Sequence, residues 1–187
     1  MSSKVAKVVS AYRQHLTVPW QEGLAAIQRV IFAVYDKADE LRLRANVEEF
    51  ALATTQANKQ WLLLDLTNAF PEWMANQEYR EAYFESPEDL AGYQAGELTE
   101  FVAHLNAKLT ARILNEAGPD TVVALLGVGT VFGLARVSSI VDGIKDAVKG
   151  RLVVFFPGEY HPETHTYRLL DARDGWNYLA VPLLAKD

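Results

Sequence analysis

Four short apolar runs constrain this chain more than any other feature: residues 29–35 (RVIFAVY), 61–66 (WLLLDL), 121–126 (TVVALL) and 151–156 (RLVVFF). Each is too short for a typical helix, and most are rich in β-branched or aromatic side chains. Each is apolar along nearly its whole length instead of alternating with polar residues. A strand of that kind is buried on both faces, which is the signature of a parallel sheet. Helical periodicity fills the gaps. Val5, Val8, Val9, Tyr12 and Leu16 precede the first run, and Leu43, Val47, Phe50 and Thr54 come after it. Phe70, Trp73, Met74 and Tyr79, then Leu98, Phe101, Leu105, Leu109 and Ile113, separate the second run from the third. Val137, Ile140, Val141, Ile144 and Val148 separate the third from the fourth. Strands alternating with helices predict a three-layer α/β fold, with a mainly parallel sheet covered by helices. The expected organisation is one domain over 1–187 with a helical insertion at 68–117.

Local signals punctuate this plan. Pro19 ends the first helical pattern, and Asp39 and Asn68 stand where helix caps belong. Ser86-Pro87-Glu88-Asp89 reads as a helix start, and Gly92 and Gly96 can split the long segment beyond it into two helices. Gly118-Pro119 stops the long helical segment, and Gly150 sits where a C-terminal glycine cap is expected. Pro157-Gly158 predicts a turn. Arg173-Asp174-Gly175 predicts a hairpin between segments 166–170 and 176–181, adding antiparallel strands at an edge.

Composition removes several functions. A chain of 187 residues can bury a real core, but its net charge of −6 opposes a general nucleic-acid surface. Arg42, Arg44, Arg136 and Arg151 could form a local patch for contacting DNA, but they are scattered in sequence and the net charge opposes that reading. Without cysteine there is no disulfide, thiolate metal site or thiol nucleophile. Polar residues interrupt the N-terminal segment every turn, so it does not read as a signal peptide. No apolar run approaches a membrane span. The expected location is the cytoplasm.

Candidate sites are few. GVGTVFG (127–133) comes after the third strand, in the setting where proteins cradle phosphates. Gly127, Gly129 and Gly133 miss the dinucleotide spacing by one residue, and Leu134-Ala135 stands where a phosphate loop needs Lys-Ser. A tight strand-to-helix connection explains the same glycines. Asp36 and Asp65 end the first two strands, where α/β folds bind ligands, so a nucleotide site with a nearby metal is the alternative reading. His161 and His165 have metal-like spacing, but Pro162 opposes the helix that would align them. His15 and His104 lie in helical segments without evident partners. Ser138-Ser139 lacks the nucleophile-elbow glycines. No cofactor is expected. The C-terminal stretch is denser in recognition chemistry. Glu159, Tyr160, Arg168, Arg173, Asp174, Trp176 and Asn177 form either a salt-bridged hairpin finishing the sheet or a partner-binding surface.

FAVYDKADELRLR (32–44), LDLT (64–67), YREAYFESPEDL (79–90), GVGTVFGLARVS (127–138), VFFPGEY (154–160) and YRLLDARDGWNY (167–178) together resemble the BrxB family. The last two motifs are the specific ones. The resemblance implies a small core component of BREX phage-defence systems, which block phage DNA replication and mark host DNA by adenine methylation. The methylation and ATPase activities belong to larger members, and the family has no catalytic residues to carry over. It further implies a non-enzymatic adaptor that contacts the alkaline-phosphatase-like component PglZ. The nucleotide-like fold would then have lost its phosphate loop.

Overall fold

The structure is a computed structural model and describes residues 4–86, 97–172 and 176–185, the side chains of Trp176 and Asn177 excepted. The chain opens with α1 (Lys4–Leu16), then β1 (Val30–Tyr35), α2 (Glu40–Ala45) and α3 (Val47–Gln56). Next come β2 (Gln60–Asp65), α4 (Ala69–Ala75), α5 (Arg80–Glu85), α6 (Thr99–Glu116), β3 (Thr121–Leu126) and α7 (Val137–Ile144). β4 (Arg151–His161), β5 (Thr166–Leu169), β6 (Trp176–Asn177) and β7 (Val181–Leu183) close it. No helix among the described residues is long and apolar enough to cross a membrane.

The sheet order is β2-β3-β4-β1-β7, and all four of these pairings are parallel. The chain therefore jumps from β1 past two later strands to the far edge, then steps back through β3 to β4. Right-handed crossovers that reverse direction must place their helices on opposite faces. They do. Val5, Val8, Tyr12, Leu43 and Phe50 of α1–α3 pack on Ile31, Ala33, Val153 and Phe155. Phe101, Leu105, Ile140 and Val141 of α6 and α7 pack on the alternate residues Val30, Phe32, Leu152 and Val154. Phe70 and Trp73 of α4 join that second layer. Period-two side chains thus feed two cores, as the unbroken apolar runs require. A buried hydrogen bond locks the first layer, with Tyr12 Oη and Thr54 Oγ1 at 2.6 Å and Thr54 also donating to Phe50 O.

Several local expectations are corrected. Pro157-Gly158 does not turn the chain. β4 runs on to His161, leaving the parallel sheet at Pro157, opposite Tyr35, and pairing antiparallel with β5 from Gly158. Proline fits at this junction because its missing N–H costs nothing where one ladder ends. The segment 176–181 is not one strand. Residues 176–177 pair with β5, whereas 181–183 cross to the free side of β1, with Pro182 tolerated on that edge. Gly150 is not a helix cap, since α7 ends at Ile144 and Gly150 lacks a left-handed backbone. It is glycine because a Cβ there would lie 2.0 Å from Thr121 O. Asp36, not Asp39, makes a side-chain cap, accepting from Ala38 N at 2.9 Å; Asp39 pairs with Arg42, and Asn68 makes no capping bond. The helix start at 86–89, Gly92 and Gly96, and the Arg173-Asp174-Gly175 turn lie outside the described residues or run into them.

Gly158 is the tightest point of the hairpin, since a Cβ would sit 2.0 Å from Arg168 O. Gly158→Ala should cost roughly 1–3 kcal/mol in urea denaturation, and Gly118→Ala, with its nearest neighbour at 4.0 Å, should be close to neutral. A second test concerns His15. Burial, and then the charge of Arg151, holds its imidazole below the ordinary value. The folded state therefore prefers the neutral ring. His15 contributes stability above the unfolded-state value of about 6.5, and that contribution is lost as pH falls toward the lower folded value. His15→Gln should show a smaller loss of thermal stability than the wild type between neutral pH and about pH 5.5.

Candidate functional site

The carboxyl ends of the strands form the edge where α/β sheets bind ligands. At the end of β3, Gly127 adopts φ +80° and opens a 3-10 turn over Val128–Val131. α7 begins only at Val137, with extended Arg136 before it, so no helix N-terminus comes directly after the glycines. That overturns the expectation that the turn leads straight into a helix. The space beside the glycines is taken. A Cβ on Gly127 would lie 3.0 Å from Asp65 Oδ1 and 3.1 Å from Thr67 N, and one on Gly129 would meet Pro157 at 3.3 Å and Leu170 at 3.7 Å. Thr130 Oγ1 donates back to Gly127 O at 2.8 Å. Gly133 also has positive φ but no neighbour within 4 Å of a Cβ. Gly127 and Gly129 thus serve a close-packed connection between β2, β3 and the hairpin, and Gly133 serves only its positive φ.

Asp65 does meet this turn, but Asp36 does not. β1 and β2 are three strand steps apart, roughly 14 Å, so their terminal carboxylates cannot share one metal ion. Among the described residues no group of three or more acids or histidines could hold one. Asp65 instead accepts from Thr67 N at 2.9 Å and from Thr67 Oγ1. Its other oxygen faces Arg44 Nη1 at 3.5 Å. Arg44 Nε donates to Glu40 at 2.7 Å, and Glu40 accepts from Tyr35 Oη. This clasp, Tyr35–Glu40–Arg44–Asp65, ties the ends of β1 and β2 across the gap left by the crossover. Burial, then the hydrogen bond to Glu40, raises the Tyr35 phenol well above its ordinary value and keeps it a donor. The Glu40–Arg44 spacing is visible in sequence as a helical i,i+4 pair, but its extension to Asp65 depends on topology.

The hairpin rises from β4 beside this edge. Glu159 faces Arg168 across the strands, with Oε2 4.0 Å from Nη1, and lies 3.5 Å from His161 Nε2. Both carboxylate and guanidinium are substantially exposed, at 64 % and 41 %. Tyr160 is less free. Its ring packs 4.8 Å from that of Tyr167, and its hydroxyl meets His165 Nδ1 at 3.0 Å. The two histidines are thus engaged by different hairpin partners. Tyr167 is fully buried, packs against Phe32 at 4.8 Å and donates to Ala180 O at 2.8 Å. Phe32 lies stacked between Phe156 and Tyr178. The hairpin is therefore part of the core on its inner side and presents charge on its outer side. Trp176 pairs with Tyr167 and Asn177 with Thr166 through the backbone, while Arg173 and Asp174 lie outside the described residues.

Between hairpin, α1 and β1 lies a groove of about 600 Å³. Lys4, Lys7 and Lys37 line it with Asp36, Glu159, Tyr160 and Asp171. Lys37 pairs with Asp171 and so joins the end of β1 to the segment after β5. Sequence inspection misses this junction because the two residues are far apart in the chain. The remaining candidates disperse. Arg42 and Arg44 are ion-paired at this edge, Arg136 approaches Glu97, and Arg151 begins β4 at the opposite edge. Ser139 donates to Glu97 at 2.6 Å.

The clasp is testable. Arg44→Met leaves Glu40 and Asp65 without their shared cation and should cost about 1–2 kcal/mol, discounted for partial exposure. Asp65→Asn should cost less in that background than alone, a coupling above about 0.5 kcal/mol in a double-mutant cycle.

Comparison with known proteins adds one finding. A family model described as BREX protein BrxB matches residues 62–183, from within β2 to the end of β7. The matched span holds the glycine turn, the extended β4 and the hairpin, while the 32–44 motif falls before it. No curated protein and no solved structure matched. The matched segment covers well over half of the chain, so this chain belongs to the BrxB family of BREX proteins.

Proposed function

We propose that this BREX phage-defence component works without chemistry of its own, as a cytoplasmic adaptor that docks a larger member of the system through the β4–β5 hairpin. The observation that carries the reading is the two-sided hairpin. Tyr167 fixes it rigidly to the core, while Glu159 and Arg168 stand exposed on its outer side. A rigid arm with outward charges and aromatic neighbours suits protein recognition, because little entropy is lost on docking. Leu179, 76 % exposed beside the arm, adds apolar surface. The resemblance favours the alkaline-phosphatase-like PglZ as the partner. The segment 68–117 offers a second surface, since Tyr79 and Phe84 stand exposed there and α5 buries no residue. The packed glycine turn supports a structural role for Gly127 and Gly129, in preference to nucleotide binding.

The test is co-purification from cells expressing the whole defence operon, with this chain tagged. PglZ should be recovered stoichiometrically with the wild type. Glu159→Arg combined with Arg168→Glu should reduce recovery at least tenfold while leaving thermal unfolding within a few degrees, since exposed pairs contribute little to stability. Unchanged recovery with that variant would remove the hairpin as the docking surface. Absence of PglZ from the wild-type sample, with both proteins soluble, would remove the adaptor reading.

A further inference from the structure

The opposite edge of the sheet, where the strands begin, carries a second cavity of about 760 Å³. Four cations line it, Arg29, Lys59, Lys149 and Arg151, against two carboxylates, Glu22 and Asp120. An excess of two positive charges is thus concentrated in one cavity of a chain with net charge −6. Crossover helices run antiparallel to the strands, so the carbonyl ends of α3, α6 and α7 face this edge. Helix carbonyl ends attract cations, which accounts for their gathering here. It does not account for how little the two arginines are satisfied.

A guanidinium has five N–H donors. Arg29 uses Nη1 on Lys149 O at 3.0 Å, and its buried Nε has no partner. Arg151, only 8 % exposed, uses Nη1 on Gly150 O at 3.1 Å. Neither has a carboxylate within ion-pair distance among the described residues; Asp120 is taken by Lys59. Trp20 supplies the remaining compensation, with the Arg151 guanidinium 4.7 Å and the Lys59 ammonium 4.4 Å from its ring centre. A buried cation left without an anion is expensive, and a quadrupole offsets only part of that cost. Burial, then the charge of Arg29, also depresses the Arg151 guanidinium, so the two groups are close enough to repel.

We propose that this cavity binds a phosphate or pyrophosphate group, held between the Arg29 and Arg151 guanidinium groups beside Trp20. The excess of two charges matches the roughly −2 of a phosphate better than a single carboxylate. The forked guanidinium geometry suits its oxygens. This site is separate from the hairpin and does not depend on the adaptor reading.

Calorimetric titration of the full chain at low ionic strength tests it, with inorganic phosphate, pyrophosphate and citrate as probes. One pyrophosphate should bind per chain, and Arg29→Gln should weaken it at least tenfold. Arg151→Gln should do the same if it folds; Arg29, which is only part-buried, keeps the test decisive if it does not. Arg112→Gln, a surface change of equal charge on α6, should bind as the wild type. Absence of binding to both phosphate probes at millimolar concentration, or equal binding by Arg29→Gln, would overturn the site. Tighter binding of citrate than of pyrophosphate would overturn the phosphate assignment.

Discussion

The architecture of the whole molecule results from burying β1 and β4 on both faces at once. Val30 to Tyr35 and Arg151 to Phe156 are all buried. No single helical layer could cover them, and the reversal of chain direction at β2 supplies the second layer. The same reversal separates the carboxyl ends of neighbouring crossovers and opens the edge at which ligands sit in related architectures. Here protein fills part of that edge, and the groove between the hairpin, α1 and β1 stays open. The clasp from Tyr35 to Asp65 spans it on one face, and Pro157 and Leu170 close on the glycine turn.

β4 connects the two halves of this design. Its first six residues belong to the most buried part of the sheet, and its last four form an antiparallel arm. Because one strand passes through both, the arm inherits the orientation of the core. Tyr167 and Tyr178 reinforce that coupling by packing on Phe32, and Tyr178 also donates to Asp142 of α7 at 3.1 Å. The outer face of the arm is thus held in place by the core itself.

The layered architecture is legible in the sequence because its determinants are local. The four apolar runs mark β1 to β4 to within a residue at their starts, and the helical periods of α1, α3, α6 and α7 stand out. The features that are not legible depend on distant residues. Pro157-Gly158 carries strong turn chemistry, yet pairing with Tyr35 on one side and Leu169 on the other keeps it extended. Val181 looks like the end of a hairpin strand, but the free edge of β1 captures it together with Pro182 and Leu183. At the candidate site Glu159 and Arg168 are recognisable as charged hairpin residues, whereas the packing of Tyr160 on Tyr167 leaves no local mark. Lys37–Asp171 and the Trp20 cation cluster cannot be read at all, since each joins segments that meet only after the sheet has formed.

The strand order also bears on how the chain is made. β1 is made before the other described strands of its sheet, yet both of its neighbours, β4 and β7, lie more than a hundred residues further along the sequence. At ordinary translation rates β1 waits on the order of ten seconds for β4 to emerge. Throughout that interval an all-apolar segment has both its hydrogen-bonding edges open, while β2 and β3 can already pair with each other. Vectorial folding from the N-terminus is therefore impossible for the centre of this sheet. Its assembly is a late, long-range event, of the class that folds slowly and is exposed to mispairing until it is complete.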